Sequence, residues 1–147
     1  MGRAHGAPVG WVFCDTNVLI RILTGDPPDQ AESAARALDA AAAGGFTVIV
    51  PDLVVAEVAY VLASSGIPAD EAAGLIERLL ALKGVEVADE RLLRDALTLW
   101  SGGRLDFADA YLAALGRRIR DAGVLSFDRD LDGIEGVVRV DPARVRR

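Results

Sequence analysis

An α/β domain with a mostly parallel sheet is the fold class the sequence predicts, and three observations predict it. Short β-branched or aromatic runs alternate with longer helical stretches. Gly, Pro and Asp punctuate the joins. The chain has 147 residues, the size of one globular domain.

The elements follow in order. Val9 to Cys14 reads as a strand running straight into Asp15, and Asn17 to Leu23 as a short helix stopped by Gly25-Asp26-Pro27-Pro28. Asp29 is the expected cap of an alanine-rich helix to Ala43, ended by Gly44-Gly45. Thr47 to Val50 is a buried-looking strand closed by Pro51, after which Asp52 should cap a helix to Ser65. Ile67-Pro68-Ala69 leads into a helix to Leu82, and Gly84 opens a short strand from Val85 to Val87. Asp89 caps a helix to Trp100, Gly102-Gly103 breaks it, and a further helix runs from Asp106 to Ala122. Val124 to Phe127 and Val137 to Val140 are the last strands, with Pro142 ending regular structure. The expected organisation is a flexible leader (1–8), a single domain (9–142) and a basic tail (143–147).

Composition narrows the chemistry. The chain is 52% hydrophobic and 26% charged, unlike a disordered sequence. No apolar run reaches the ~20 residues of a membrane helix. The leader lacks the apolar core of a secretion signal, and Gly6 stands where a myristoylation motif wants Ser or Thr. A cytosolic protein is the expectation. One cysteine, Cys14, excludes an internal disulfide or a Cys-rich zinc site. The one histidine, His5, lies in the leader, so histidine-based hydrolysis and ordinary zinc catalysis are excluded too. A net charge of −6 argues against a broadly basic nucleic-acid surface. It does not exclude a nuclease, whose acidic pocket is filled by metal ions. The chemistry must run on carboxylates.

Those carboxylates sit where an open α/β sheet binds ligands, beyond the carboxyl ends of its strands. The first strand delivers Asp15, the second a helix containing Glu57, and the strand from Val124 delivers Asp128. From Leu53 to Ala63 the helix is apolar nearly all round, so it should be buried, with Glu57 its one charge. A buried carboxylate needs a partner or a water-filled cleft, and no Lys or Arg stands three or four residues away. The alternatives are a distant Arg and a metal or catalytic cleft. Asp106 and Asp109 share a helix face. Taking Ala108, Leu112, Leu115 and Ile119 as that helix's apolar stripe, and ~100° per residue, Asp109 borders the buried side and Asp106 is better placed as the N-cap. Asp15 suits a cap as well as a metal ligand, and Asp128 a turn. Asp130 and Asp132 read as solvated turn acids. Hard cations such as Mg²⁺ or Mn²⁺ prefer oxygen ligands and relieve the repulsion of crowded carboxylates. Bound there, one or two such ions can hold a phosphodiester and activate a water.

At these residues the sequence resembles a PIN-domain ribonuclease, most closely a VapC-type toxin of a toxin–antitoxin pair. The segments are Val12-Phe13-Cys14-Asp15-Thr16-Asn17-Val18-Leu19-Ile20, Val50-Pro51 with Val55-Ala56-Glu57-Val58, Leu105-Asp106-Phe107-Ala108-Asp109-Ala110-Tyr111-Leu112-Ala113-Ala114, and Leu125-Ser126-Phe127-Asp128-Arg129-Asp130. The resemblance covers Val9 to Pro142 and implies a three-layer, PIN-like fold, a central mostly parallel sheet flanked by helices. It also implies Mg²⁺- or Mn²⁺-dependent cleavage of RNA. The family's acidic quartet maps onto Asp15, Glu57, Asp109 and Asp128, and its polar helpers onto Thr16, Asn17 and Ser126. Family toxins are commonly homodimers held inactive by an antitoxin protein. The longer leader and the additional acid Asp106 depart from the pattern without removing a motif residue. Arg21, Arg104 and Arg129 are candidates for contacts to the RNA backbone, or ordinary surface arginines. A phosphoryl-aspartate hydrolase would want an acid at Asn17, and Lys83, the only lysine, precedes the wrong strand for a receiver domain. The remaining rival is a PIN-like module that binds RNA or protein without cutting.

Overall fold

The structure, a computed structural model, describes residues 10–146. The leader (1–8), His5 and Val9 therefore lie outside the described residues, as does Arg147. The described chain gathers into two compact units. One runs up to Leu62 and includes Gly74–Ala88; the other holds Ala63–Ala73 and the chain from Asp89 onward.

The first unit is built on three parallel strands. They are β1 (Trp11–Phe13), β2 (Thr47–Ile49) and β3 (Val85–Glu86), in the order β1-β2-β3. Trp11 stands opposite Thr47, Phe13 opposite Ile49, and Val48 opposite Val85. Parallel neighbours need a helical crossover, supplied by α1 (Thr16–Thr24) with α2 (Pro28–Ala42) and by α3 (Asp52–Ser64) with α4 (Ala69–Leu80). Gly25 closes α1 in the left-handed region at φ 71°, where a side chain would be strained. Gly84 is needed for a different reason: a Cβ there would stand 2.5 Å from the Ala41 backbone, so only glycine lets β3 begin against the end of α2. The buried residues of this unit include Leu19, Val48, Val50, Val55, Val58 and Leu62.

The second unit pairs two helices with a small sheet. α5 (Glu90–Ser101) lies against α6 (Phe107–Arg118), and β4 (Val124–Leu125) pairs in parallel with β5 (Arg139–Val140). Asp89 caps α5 by accepting the Leu92 N–H at 3.0 Å. Trp100 and Phe107 meet edge to face with centroids 5.7 Å apart, a favoured aromatic geometry, and both are buried.

Several expectations need correction. Asp29 is not a cap: Pro27 holds that position, Pro28 opens α2, and Asp29 adds its charge to the first turn, where the helix dipole favours it. Asp52 is likewise inside its helix, as the first residue of α3. The helix α3 is not buried all round, since Leu53 is 72% and Tyr60 73% exposed. Apolar composition alone could not tell which side faces the core. The stripe proposed for α6 is also wrong. Phe107, Ala110, Ala113 and Ala114 are buried, while Ala108 and Leu112 are exposed and Ile119 is 61% exposed. Both stripes obey helical spacing; the small alanines form the inner one because they allow close approach to α5. α6 stops at Arg118, short of Ala122. The chain does not lose regular structure at Pro142, which opens a short 3-10 turn, Pro142–Arg144. No described helix is long and apolar enough to cross a membrane.

Candidate active site

The first unit brings together Asp15, Thr16, Asn17 and Glu57. β1 ends at Phe13, the Cys14 N–H continues the ladder to the Ile49 carbonyl at 2.9 Å, and Asp15 turns the chain into α1. Asp15 is the N-cap, accepting the Thr16 N–H at 2.8 Å. The Thr16 hydroxyl donates to Glu57 Oε2 at 2.5 Å across 41 positions of sequence. Thr16 is 8% exposed, the one buried polar residue among the described residues. One residue thus touches both acids, by its backbone on one side and its hydroxyl on the other. Glu57 itself is exposed, so the expected buried charge is corrected to a surface carboxylate held by a buried hydroxyl. Asn17 reaches Asp15 Oδ2 at 3.5 Å, the weak limit of a hydrogen bond. Cys14 is buried beside this group. Burial, followed by the Asp15 charge, pushes its thiol up to about 11, so it stays protonated and inert at neutral pH.

The second unit brings together Asp106, Asp109, Ser126 and Asp128. Asp106 is the N-cap of α6 and accepts the Asp109 N–H at 2.8 Å. The Ser126 hydroxyl oxygen accepts the Asp128 N–H at 3.0 Å, and Asp128 Oδ1 accepts the Asp130 N–H at 2.8 Å. Asp109 has its pKa raised to about 6, first by burial, then by the Asp106 charge and a side-chain hydrogen bond with Asp128. Asp130, read from sequence as a solvated turn acid, adds to that repulsion.

Among the described residues, no Lys or Arg forms an ion pair with Asp15, Glu57, Asp106, Asp109, Asp128 or Asp130. Among the described residues no arginine forms an ion pair with Glu57, whose hydrogen-bond partner is the Thr16 hydroxyl. The donors suit a hard divalent cation in kind, being carboxylate and hydroxyl oxygens with no thiolate or imidazole. In neither unit do three Asp, Glu, Cys or His among the described residues gather closely enough to hold an ion.

Of the candidate RNA-contacting arginines, two are committed to the protein. Arg21 donates to Gln30 at 2.8 Å and Arg104 to the Asp132 carbonyl at 2.7 Å. Arg129 lines an open hollow of about 670 Å³ with Arg144. Sequence reasoning missed Arg139. Its side chain is only 10% exposed, and it makes ion pairs with Asp132 at 2.7 Å and Asp141 at 3.9 Å. The signal was present: Arg139 is a lone charge among Val137, Val138 and Val140, the same anomaly that singled out Glu57.

The PIN domain family profile matches residues 12–137, drawing on both units. No curated protein matches the sequence. Among solved structures, the chain is similar to one described as VapBC2 from Rickettsia felis bound to a DNA fragment from their promoter. The identity is 13%, covering 90% of this chain and 98% of that one, with a TM-score of 0.40. By the extent of the family match, this chain belongs to the PIN domain family.

Proposed function

We propose that this protein is a divalent-metal-dependent endoribonuclease, acting as the toxin of a VapBC-type pair in the cytoplasm. The observation that carries the reading is the Asp109–Asp128 pair. Asp109 lies among the carboxylates of Asp106, Asp128 and Asp130, no Lys or Arg forms an ion pair with Asp109 or Asp128 among the described residues, and burial with these neighbours raises Asp109 to about 6. Burial and like charges disfavour the ionised form of Asp109, and a bound cation would relieve that repulsion. Family membership and the order of the four acidic motifs support the same chemistry.

Asp15 and Asp109 are the principal ligands for Mg²⁺ or Mn²⁺ in this reading, with Glu57 and Asp128 acting through water or on a second ion. When bound, the ion supplies Lewis-acid activation of water and charge neutralisation at the leaving oxygen. The chain's own residues do the positioning. Thr16 holds Glu57 through its hydroxyl, and Asp106 anchors the first turn of α6, so Asp109 starts from a fixed backbone. Asn17 and the Ser126 hydroxyl hydrogen are available to orient water or phosphate. Arg129 and Arg144 offer guanidinium groups to the RNA backbone. The partners of this reading are an RNA substrate, a cognate antitoxin protein and a second copy of the chain in a homodimer.

The test is cleavage of RNA by purified protein during titration with Mn²⁺ and with chelator. Wild-type cleavage should require the ion, and Asp15→Asn and Asp109→Asn should each abolish it. RNA binding without metal-dependent cutting would leave a non-catalytic binding module instead, and full cleavage by either variant would overturn the site.

A further inference from the structure

We infer that Arg139 is a positioning residue, a guanidinium clamp that holds the Ser126–Asp132 turn in the shape that presents Asp128 for metal binding. The inference rests on the nuclease reading, and it concerns a residue outside the four acidic motifs.

The turn is gripped at both ends by one side chain. Arg139 Nη1 donates to the Ser126 carbonyl at 2.9 Å. Its Nε and Nη2 donate to the two oxygens of Asp132 at 2.7 Å and 3.2 Å. Between those ends lie Asp128 and the 3-10 turn Arg129–Leu131 that it caps. β5 pairs with β4 immediately before the turn, and the Ser126 N–H continues that ladder to the Val140 carbonyl at 3.1 Å. Arg139 therefore reaches the turn from a strand already fixed to its base. Leu131 is fully buried beneath it, and Arg104 donates to the Asp132 carbonyl.

A planar fork is needed for this job. Lysine has the charge but cannot present parallel donors to a carboxylate while also reaching a backbone carbonyl. The contact with half-exposed Asp132 alone is worth little as a surface ion pair. Its value is geometric, because it closes a segment whose centre is the proposed metal ligand. Residues that orient a ligand from behind typically alter metal affinity by about 10–100-fold when removed.

The experiment compares wild-type, Arg139→Met, Arg139→Lys and Asp132→Asn proteins by Mn²⁺ electron paramagnetic resonance, amide hydrogen exchange and RNA cleavage kinetics. Arg139→Met is expected to weaken Mn²⁺ binding about tenfold or more and to speed exchange at 126–132, while α5 and α6 stay protected. The cleavage defect should lie in kcat, leave the KM for RNA unchanged and be recovered by excess Mn²⁺. Arg139→Lys should restore little, and Asp132→Asn should show the same pattern more weakly, which keeps the test open if the methionine variant fails to fold. An unchanged Mn²⁺ affinity in Arg139→Met, or a raised KM for RNA in its place, overturns the clamp alone. A wild-type protein that binds no Mn²⁺ overturns the nuclease reading and the clamp together.

Discussion

The two acidic groups handle the same problem in opposite ways. In the first, a neutral donor separates the charges: Thr16 gives its N–H to Asp15 and its hydroxyl to Glu57. In the second, no such donor links Asp109 and Asp128, and burial with the neighbouring acids Asp106, Asp128 and Asp130 raises Asp109 to about 6 instead. A hydrogen-bond donor can order a carboxylate pair permanently. A carboxyl whose charge is opposed by burial and by like-charged neighbours gains most from a bound cation.

The sharpest way to break this contrast is to neutralise one acid from each group. Asp109→Asn should lower metal-dependent cleavage by about a thousandfold, the equivalent of several kcal/mol of lost charge stabilisation. Glu57→Gln, which keeps an acceptor for the Thr16 hydroxyl, should cost only about 10–100-fold. Equal losses in single-turnover rates would erase the distinction. Trp100→Ala should destabilise the protein by about 3–5 kcal/mol, because it opens a cavity beside Phe107 at the start of α6. Chemical denaturation measures this, and a cost below 1 kcal/mol would mean the helix start is held some other way. Thr16→Val should remove the donor between the first two acids at a cost of about 1–3 kcal/mol, with Thr16→Ser close to wild type.

The smallest effect is a pH dependence of stability without metal. Asp109 ionises near 3.8 when unfolded and about 6 when folded. Between those values the native state binds the extra proton, so stability falls as pH rises through the window. The penalty is complete above pH 6. Asp109→Asn should remove this slope and raise the metal-free melting temperature by a few degrees at pH 7. Adding Mn²⁺ to wild type should offset the same penalty by mass action. A wild-type slope that persists in the variant would assign the titration to another group.

Much of the site was legible because its residues occupy places that local rules mark out. Asp106 follows a Gly-Gly break and precedes a helical pattern, and it is the N-cap. Asp15 ends a strand and begins a helix, and it too is a cap. Asp109 was placed at the edge of the buried face of α6, correctly but from the wrong stripe. Its neighbours on that face are Ala110 and Ala113, not Leu112. Glu57 was singled out by a burial argument that the exposed Leu53 and Tyr60 overturn. What distinguishes it is a hydroxyl on another helix, a contact no local pattern encodes.

The sequence by itself determined the alternation of strands and helices, the caps at Asp15, Asp89 and Asp106, and the lone acids at strand ends. Those features depend on backbone geometry within a few residues. Only the tertiary structure decided which of two helical stripes in α6 faces inward, that the Thr16 hydroxyl meets Glu57, and that Arg139 grips both ends of the Asp128 turn. Each of these depends on which surfaces approach closely across long stretches of chain. Residue size and charge permit several such pairings, and packing selects one.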